Sequence, residues 1–211
     1  MFQEQENCFY YIAVMNENYP HPAMPADAAD GIIRGLYRFS AGAGKGPRAQ
    51  LFGSGAILRE IIAAQTLLQD DWGVNADVWS ATSFNELARD AAQCQRDNML
   101  HPEREPRRCY LHTALQGHDG PIVAATDYVK AYANQIAPYL NGRRILALGT
   151  DGFGRSDTRA NLRRHFEVNR HYVAVAALTA LADDGAIERA TVNAAIRRYR
   201  IDSDKTNPIN A

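Results

Sequence analysis

Two Thr-Asp pairs are the residues of this chain best placed to bind a ligand or a partner. Thr126-Asp127 and Thr150-Asp151 each follow a short apolar run that is typical of a buried strand. In a parallel sheet both pairs would lie at the carboxyl edge, where ligands and partners usually bind. The same side chains also cap loops by bonding to the nearby backbone, and that interpretation is favoured here.

A turn that contains two glycines supplies another candidate. Gly53-Ser54-Gly55 lies between a predicted strand and a predicted helix, where backbone N–H groups could cradle a phosphate. The third glycine of the G-x-G-x-x-G pattern is replaced by Leu58, and no P-loop pattern is present. A tight turn that lets the strand and the helix pack closely is therefore the favoured interpretation.

The cysteines and histidines form no recognised catalytic or metal-binding pattern. Cys109 shares an irregular segment with His112 and His118, so a Cys-His pair is one hypothesis, and surface polar residues are the favoured one. None of the six histidines lies in an H-x-x-x-H or H-E-x-x-H pattern, and G-x-S-x-G is absent. We therefore predict no catalytic, cofactor-binding or metal-ligating residue in this chain.

Composition and charge exclude several classes of partner. The chain has 211 residues, of which 46% are hydrophobic and 22% charged, enough to bury a large core. A net charge of −1 argues against nucleic acid or an anionic membrane as a partner. No apolar stretch approaches the ~20 residues of a membrane span. Three widely spaced cysteines fit a reducing compartment, so we expect a soluble, cytoplasmic protein.

Periodicity predicts an alternation of strands and helices along the chain. The predicted strands are 36–39, 50–52, 75–80, 122–125 and 144–148, and the predicted helices are 27–33, 56–72, 84–98, 128–139, 158–166, 172–183 and 187–199. Ser83 and Ser156-Asp157 offer helix N-caps, and Gly185 separates the last two helices. This order predicts an α/β fold of three layers, a mostly parallel sheet with helices on both faces, ending in a helical hairpin.

The first 35 residues have a different character. Phe9 to Met15 is an aromatic and β-branched run that predicts a strand, and a segment with Pro20, Pro22 and Pro25 follows it. A strand followed at once by a linker is unusual at the start of a domain. We therefore assign residues 1–35 to the last strand of a preceding domain plus a linker, and residues 36–211 to one further domain.

Several segments, in order along the chain, resemble the carboxyl-terminal domain of transketolase-like, thiamine diphosphate-dependent enzymes. The segments that carry the resemblance are 9–19, 51–59, 82–90, 98–102, 125–128, 149–166 and 202–208. The match is closest to the decarboxylating component of homodimeric bacterial pyruvate dehydrogenases. The resemblance implies that the opening strand belongs to a pyrimidine-binding domain and that residues 36–211 have the transketolase carboxyl-terminal fold.

The resemblance also implies an activity for a full-length enzyme. Such an enzyme oxidatively decarboxylates pyruvate on thiamine diphosphate, with Mg²⁺ holding the diphosphate, and acetylates the lipoyl group of the dihydrolipoyl acetyltransferase component. The family's Gly-Asp-Gly…Asn motif is missing here, because Asp151-Gly152-Phe153-Gly154 has no asparagine at the required distance. The resemblance therefore places the chemistry in upstream domains and leaves scaffold and homodimer surface to this chain.

One loop is the candidate for that surface, because it joins a strand to a helix at the predicted sheet edge. The candidate interface loop consists of Thr150, Asp151, Gly152, Phe153, Gly154, Arg155 and Ser156. Two other functions stay open at this point. One is a free-standing α/β module that binds a phosphorylated ligand at residues 53–55, and the other is an assembly domain that docks the acetyltransferase.

Overall fold

A five-stranded sheet forms the centre of the fold in the computed structural model, which describes residues 2–12, 14 and 17–211. Its strands are β1 (Tyr37–Ser40), β2 (Arg48–Gly53), β3 (Asn75–Ser80), β4 (Ile122–Ala125) and β5 (Ile145–Leu148). They lie in the order β1-β3-β2-β4-β5. The β1–β3 pair is antiparallel and the other three pairs are parallel, so the predicted mostly parallel sheet is confirmed.

Helices connect the strands and cover both faces of the sheet. They are α1 (Ala28–Arg34), α2 (Leu58–Trp72), α3 (Phe84–Leu100), α4 (Tyr110–Ala114), α5 (Lys130–Asn134), α6 (Arg159–His165), α7 (Arg170–Asp183) and α8 (Arg189–Arg198). Short 3₁₀ turns occur at Gly55–Ile57, Ala137–Tyr139 and Pro208–Asn210. The segment between α3 and β4, predicted to be irregular throughout, contains α4.

The alternation of side chains along the strands builds two hydrophobic cores. Leu51, Val78 and Val123 face one side, where they belong to the same buried cluster as residues of α2 and α7. Phe52 and Trp79 face the other side, in a cluster with residues of α3, α4 and α5. Because successive strand residues point to opposite faces, one sheet separates the two cores. The predicted three-layer α/β fold is confirmed.

A hairpin of α7 and α8 ends the helical part of the chain, as predicted. Gly185 adopts a left-handed backbone with φ of 74°, which favours glycine. The Gly185 N–H donates to Ala182 O and the Ala186 N–H donates to Leu181 O, which satisfies carbonyls at the end of α7. The chain can then reverse, and α8 packs back on α7.

Two local predictions are wrong. The described residues 9–12 and 14 form no strand, and Phe9 and Tyr11 are 86% and 92% exposed. A strand needs a neighbour for its backbone N–H and C=O groups, and the described residues supply none to this segment. Ala13 and Met15, within the same prediction, lie outside the described residues. The N-cap of α6 is Thr158, whose hydroxyl accepts from Asn161 N, and not Ser156-Asp157.

Candidate functional site: the carboxyl edge of the sheet

The carboxyl ends of the parallel strands bring four loops to one edge. They are residues 53–55 after β2, 81–83 after β3, 126–129 after β4 and 149–158 after β5. The chain leaves β2 towards β3 on one side and later returns to β4 on the other side of β2. Between β2 and β4 the edge therefore has a topological switch point, the position where open α/β sheets usually bind ligands.

A cavity of about 270 Å³ opens at this switch point. Its lining residues are Ser54, Thr82, Ser83, Phe84, Asn85, Thr126, Tyr128 and Tyr132. This set includes hydroxyls, one amide and aromatic rings, and none of these described residues is charged. Ser83 Oγ already accepts from Glu86 N, and Thr126 Oγ1 accepts from Tyr128 N. The cavity thus offers hydrogen bonds and contact area but no activated nucleophile or general base.

The glycine turn beside this cavity is used for packing. A Cβ on Gly53 would lie 2.7 Å from Leu58 Cα and 2.9 Å from Ile61 Cγ1, so the missing side chain lets α2 approach β2. The Ser54 N–H donates to Ala125 O, and the Ile57 N–H donates to Ser54 O. With these two backbone donors already engaged, the geometry favours the tight-turn interpretation over a phosphate cradle.

The two Thr-Asp pairs lie side by side, since β4 and β5 are parallel neighbours. The Thr150 hydroxyl donates to Asp127 O at 2.7 Å, and the Thr150 N–H donates to Tyr128 O at 2.9 Å. Asp151 Oδ2 accepts from Lys130 N at 3.3 Å. These bonds tie the β5–α6 loop to the β4–α5 loop. Both pairs therefore cap loops, which is the interpretation that the sequence favours.

The candidate interface loop, residues 150–156, packs against the end of the chain. Gly152 has φ of 102°, and a Cβ there would lie 2.5 Å from Pro208 O and 3.0 Å from Ile209 Cα. Phe153, the next residue along the loop, is 81% exposed, and Ile209 is 55% exposed. Gly154 has no heavy atom within 4 Å of its Cβ position. Sequence patterns show the loop but not its contact with residues 208–209.

A second cavity of about 270 Å³ lies beside this loop and is rich in arginine. Arg155, Arg159 and Arg163 line it, together with apolar residues such as Leu162. Two of these guanidiniums are already paired, because Arg163 donates to Glu60 at 3.1 Å and Arg159 forms an ion pair with Glu17. These arginines therefore join the β5–α6 region to α2 and to the amino-terminal segment.

The hypothetical Cys-His pair does not form. Cys109 is buried, His112 Nε2 lies 2.7 Å from Tyr139 O, and His118 Nδ1 lies 3.3 Å from Asp77 Oδ2. The two histidines also differ from the favoured interpretation of free surface residues, because both are partly buried and hydrogen-bonded. Each ring holds a loop in place.

Asp77 is the centre of a polar network that sequence reasoning missed. Its side chain is fully buried and accepts hydrogen bonds from Gly42 N at 2.9 Å, Arg48 Nη1 at 2.8 Å and Gln50 Nε2 at 3.2 Å. Burial raises the pKa of Asp77, but these donors together with His118 outweigh it, so the pKa lies below its usual value. Asp77 and Gln50, polar residues at paired positions in the middle of two neighbouring strands, are the signal that could have indicated it.

The described residues show neither a metal-binding group nor a membrane-spanning helix. Among residues 2–12, 14 and 17–211, no group of three or more His, Cys, Asp or Glu side chains is arranged to hold a metal ion. No helix of this described part is long and apolar enough to cross a bilayer.

Comparison with known families decides how the domain is classified. A family model described as the transketolase-like TK C-terminal domain matches residues 35–169, which is more than half of the chain. The chain belongs to this family. A second model, described as the pyruvate dehydrogenase E1 component middle domain, matches residues 1–22. The transketolase-like C-terminal domain match therefore covers the whole sheet and the edge described above.

Curated relatives of this transketolase-like domain are much longer proteins. The pyruvate dehydrogenase E1 component of Cupriavidus necator is 51% identical over 212 aligned residues, covering 100% of this chain and 24% of the relative. The E1 components of Pseudomonas aeruginosa and Escherichia coli K12 are 51% and 50% identical, over 100% and 98% of this chain and 24% and 23% of their own length. The chain thus spans about a quarter of the relatives that it matches.

Solved transketolases are more distant from this transketolase-like domain. The transketolase from Leishmania mexicana is 17% identical, with a TM-score of 0.47 over 73% of this chain and 19% of its own.

Proposed function

We propose that this chain is the carboxyl-terminal domain of a pyruvate dehydrogenase E1 component, an oxidoreductase that decarboxylates pyruvate and acetylates the lipoyl group of the acetyltransferase component. The observation that carries the proposal is 51% identity to such an E1 component over the full length of this chain. Identity of this extent supports a common role for the matched quarter of each protein.

The described residues do not fit thiamine diphosphate and Mg²⁺, the cofactors that we propose for the full-length enzyme. Asp151 is bonded to the Lys130 backbone, and no described group of three metal-ligating side chains accompanies it. We therefore derive no catalytic step from this chain. Its proposed contribution is a rigid three-layer scaffold that presents the carboxyl edge of the sheet to the rest of the enzyme.

We assign residues 1–35 to the end of a preceding domain plus a linker, and residues 36–211 to the carboxyl-terminal domain. The match of residues 1–22 to the E1 middle domain supports this division. So do the aromatic residues of the same segment, among them Phe9 and Tyr11, which are 86% and 92% exposed. The three free cysteines support a reducing cytoplasm as the location.

The partners that we propose are a second copy of the full-length enzyme and the dihydrolipoyl acetyltransferase. The loop at residues 150–156 is the proposed domain or dimer contact. The exposed side chains of Phe153, in this loop, and Ile209, whose backbone contacts Gly152, support this assignment, since apolar side chains exposed on a surface are typical of interfaces.

A domain-exchange experiment tests the proposed activity. The carboxyl-terminal quarter of the Cupriavidus necator E1 component is replaced by this chain, and pyruvate decarboxylation and lipoyl acetylation are measured. We expect activity within about tenfold of the intact relative, because a 51% identical domain should preserve the domain contacts. A truncated relative without the domain is the control. A folded, dimeric chimaera with no activity on pyruvate would contradict the proposal.

Substituting Gly154→Val in the same chimaera tests the interface loop. Because Gly154 has open space at its Cβ and no left-handed φ, the substitution should leave the melting temperature unchanged. We expect the dimer dissociation constant, measured by analytical ultracentrifugation, to rise and turnover to fall. A variant that keeps both dimer affinity and turnover would refute an interface role for residues 150–156.

A further inference from the structure

A separate cleft lies at the opposite, amino-terminal edge of the sheet. It has a volume of about 380 Å³ and is bounded by α4 and by the segments that lead into β4 and β5. Leu111, Leu115 and Leu140 give it a buried apolar floor. A volume in this range accommodates a small metabolite rather than a water molecule.

The polar part of the lining contains two guanidiniums, which only donate hydrogen bonds, and three side chains that can also accept them. Arg108, His112, Gln116, Asn141 and Arg143 contribute side chains to it. His112 is held by Tyr139 O at 2.7 Å through Nε2, which must carry the proton because a carbonyl oxygen can only accept. Asp119 is the one carboxylate in the lining, and it is exposed. The cleft therefore favours an anion over a cation.

Arg143 is the strongest evidence for an anionic ligand. Its Nε and Nη2 both donate to Gly120 O, at 3.2 and 2.6 Å, which fixes the plane of the guanidinium. Among the described residues it has no ion pair within 4.0 Å. Burial lowers the pKa of Arg143, and the charge of Asp119 offsets this only in part. A half-buried guanidinium that the charge of Asp119 compensates only in part is costly, and a bound anion would lower that cost.

Arg108 adds a second cation to the same cleft. Its side chain is exposed, and within the described residues it forms no ion pair. Guanidinium groups bind phosphate oxygens in bidentate geometry, so two of them around one cavity suit a dianionic phosphate better than a single carboxylate.

We infer that this cleft, which we name the Arg108–Arg143 cleft, binds a small molecule that carries a phosphate group. The phosphate lies between the two guanidiniums, and the remainder of the ligand contacts the leucine floor. The site is at the edge of the sheet opposite to the candidate interface loop, and phosphate binding there requires none of the catalytic residues of the longer enzyme.

The test is a titration of the ¹⁵N-labelled chain, followed by NMR in phosphate-free, low-salt buffer. The probes are inorganic phosphate, glycerol phosphate as a phosphate monoester, and acetate as a carboxylate. We expect saturable shifts at residues around the cleft with both phosphates, tighter binding of the monoester, and weaker binding of acetate. Saturation by acetate alone, or shifts that do not saturate with either phosphate, would overturn the inference.

Three variants make the test specific. Arg108→Gln removes an exposed guanidinium without touching the core, and we expect it to weaken phosphate binding about tenfold. Arg143→Lys keeps the charge but removes the planar guanidinium that can bind two phosphate oxygens at once, and it should weaken binding as well. Arg96→Gln on the exposed side of α3 removes the same charge outside the cleft and is the control. Equal effects of Arg108→Gln and Arg96→Gln would mean non-specific charge attraction and would overturn the assignment.

Discussion

At the scale of single residues, Glu60 shows how a buried charge is accommodated. The side chain is 6% exposed and accepts from Arg163 Nη1 at 3.1 Å, Arg170 Nε at 2.9 Å and the Arg170 N–H at 2.9 Å. Burial raises the pKa of Glu60, but the hydrogen bonds and charges of Arg170 and Arg163 outweigh it, so the pKa lies below its usual value. Glu60 thereby joins α2 to α6 and α7.

The pKa of Glu60 sets the sign of its contribution to stability. A carboxyl group with a lowered pKa in the folded state stabilises the fold above its unfolded-state pKa, and this contribution disappears as the pH falls through the folded-state pKa. We expect Glu60→Gln to lower the free energy of unfolding at pH 7 by about 3 kcal/mol, because two guanidiniums lose their counter-charge. Below about pH 4.3 the difference from the parent chain should shrink.

Urea unfolding between pH 7 and pH 3 measures this difference. The matched control is Glu103→Gln, since Glu103 is 65% exposed and pairs with Arg104 on the surface. Its effect should stay within about 0.5 kcal/mol. A Glu60→Gln variant as stable as the control at pH 7 would show that the buried pairs contribute little.

At the scale of elements, the sequence identifies some helix caps clearly and leaves others ambiguous. Ser83 and Glu86 have capping-box spacing, and the Ser83 hydroxyl does accept from Glu86 N at the start of α3. The start of α6 is less obvious, because Ser156, Asp157 and Thr158 are all good N-cap residues. Asp157 instead bonds to Thr158 N and Asn161 Nδ2, and Thr158 supplies the cap.

The contact between the interface loop and the 3₁₀ turn Pro208–Asn210 gives a prediction at this scale. We expect Gly152→Ala to destabilise the chain by about 2 kcal/mol, because φ is 102° and the new Cβ would lie 2.5 Å from Pro208 O. Gly154→Ala, two residues away with open space, is the control and should be neutral. Thermal unfolding of both variants distinguishes them, and equal melting temperatures would argue against a tight contact.

At the scale of the whole molecule, Tyr19 packs the amino-terminal segment against the domain. Its ring lies under the guanidinium of Arg59 at 4.7 Å and near that of Arg159 at 5.8 Å. Its hydroxyl donates to Glu17 at 2.7 Å and lies 3.4 Å from Arg163 Nη2. These contacts reach α2 and α6, so Tyr19 attaches the segment before α1 to the domain, together with the ion pair between Glu17 and Arg159.

This attachment predicts different effects for two changes near the amino end. Deleting residues 2–14 should leave the melting temperature unchanged, because the large apolar side chains described there, such as Phe9 and Tyr11, are exposed. Tyr19→Ala should lower the free energy of unfolding by about 1 kcal/mol through loss of the cation–π contacts. Calorimetry of both variants tests this. A large destabilisation by the deletion would place essential contacts before Tyr19.

The sequence by itself determined the type and order of the elements, the mostly parallel sheet, and the position of both Thr-Asp pairs at its carboxyl edge. Periodicity, helix caps and turn glycines depend on residues a few positions apart, so they can be recognised from short stretches of sequence. Only the tertiary structure decided that Glu60 meets Arg170, that Asp77 gathers four donors, and that Gly152 contacts Pro208. Such contacts join residues far apart along the chain, and their partners are selected by packing, which no local pattern encodes.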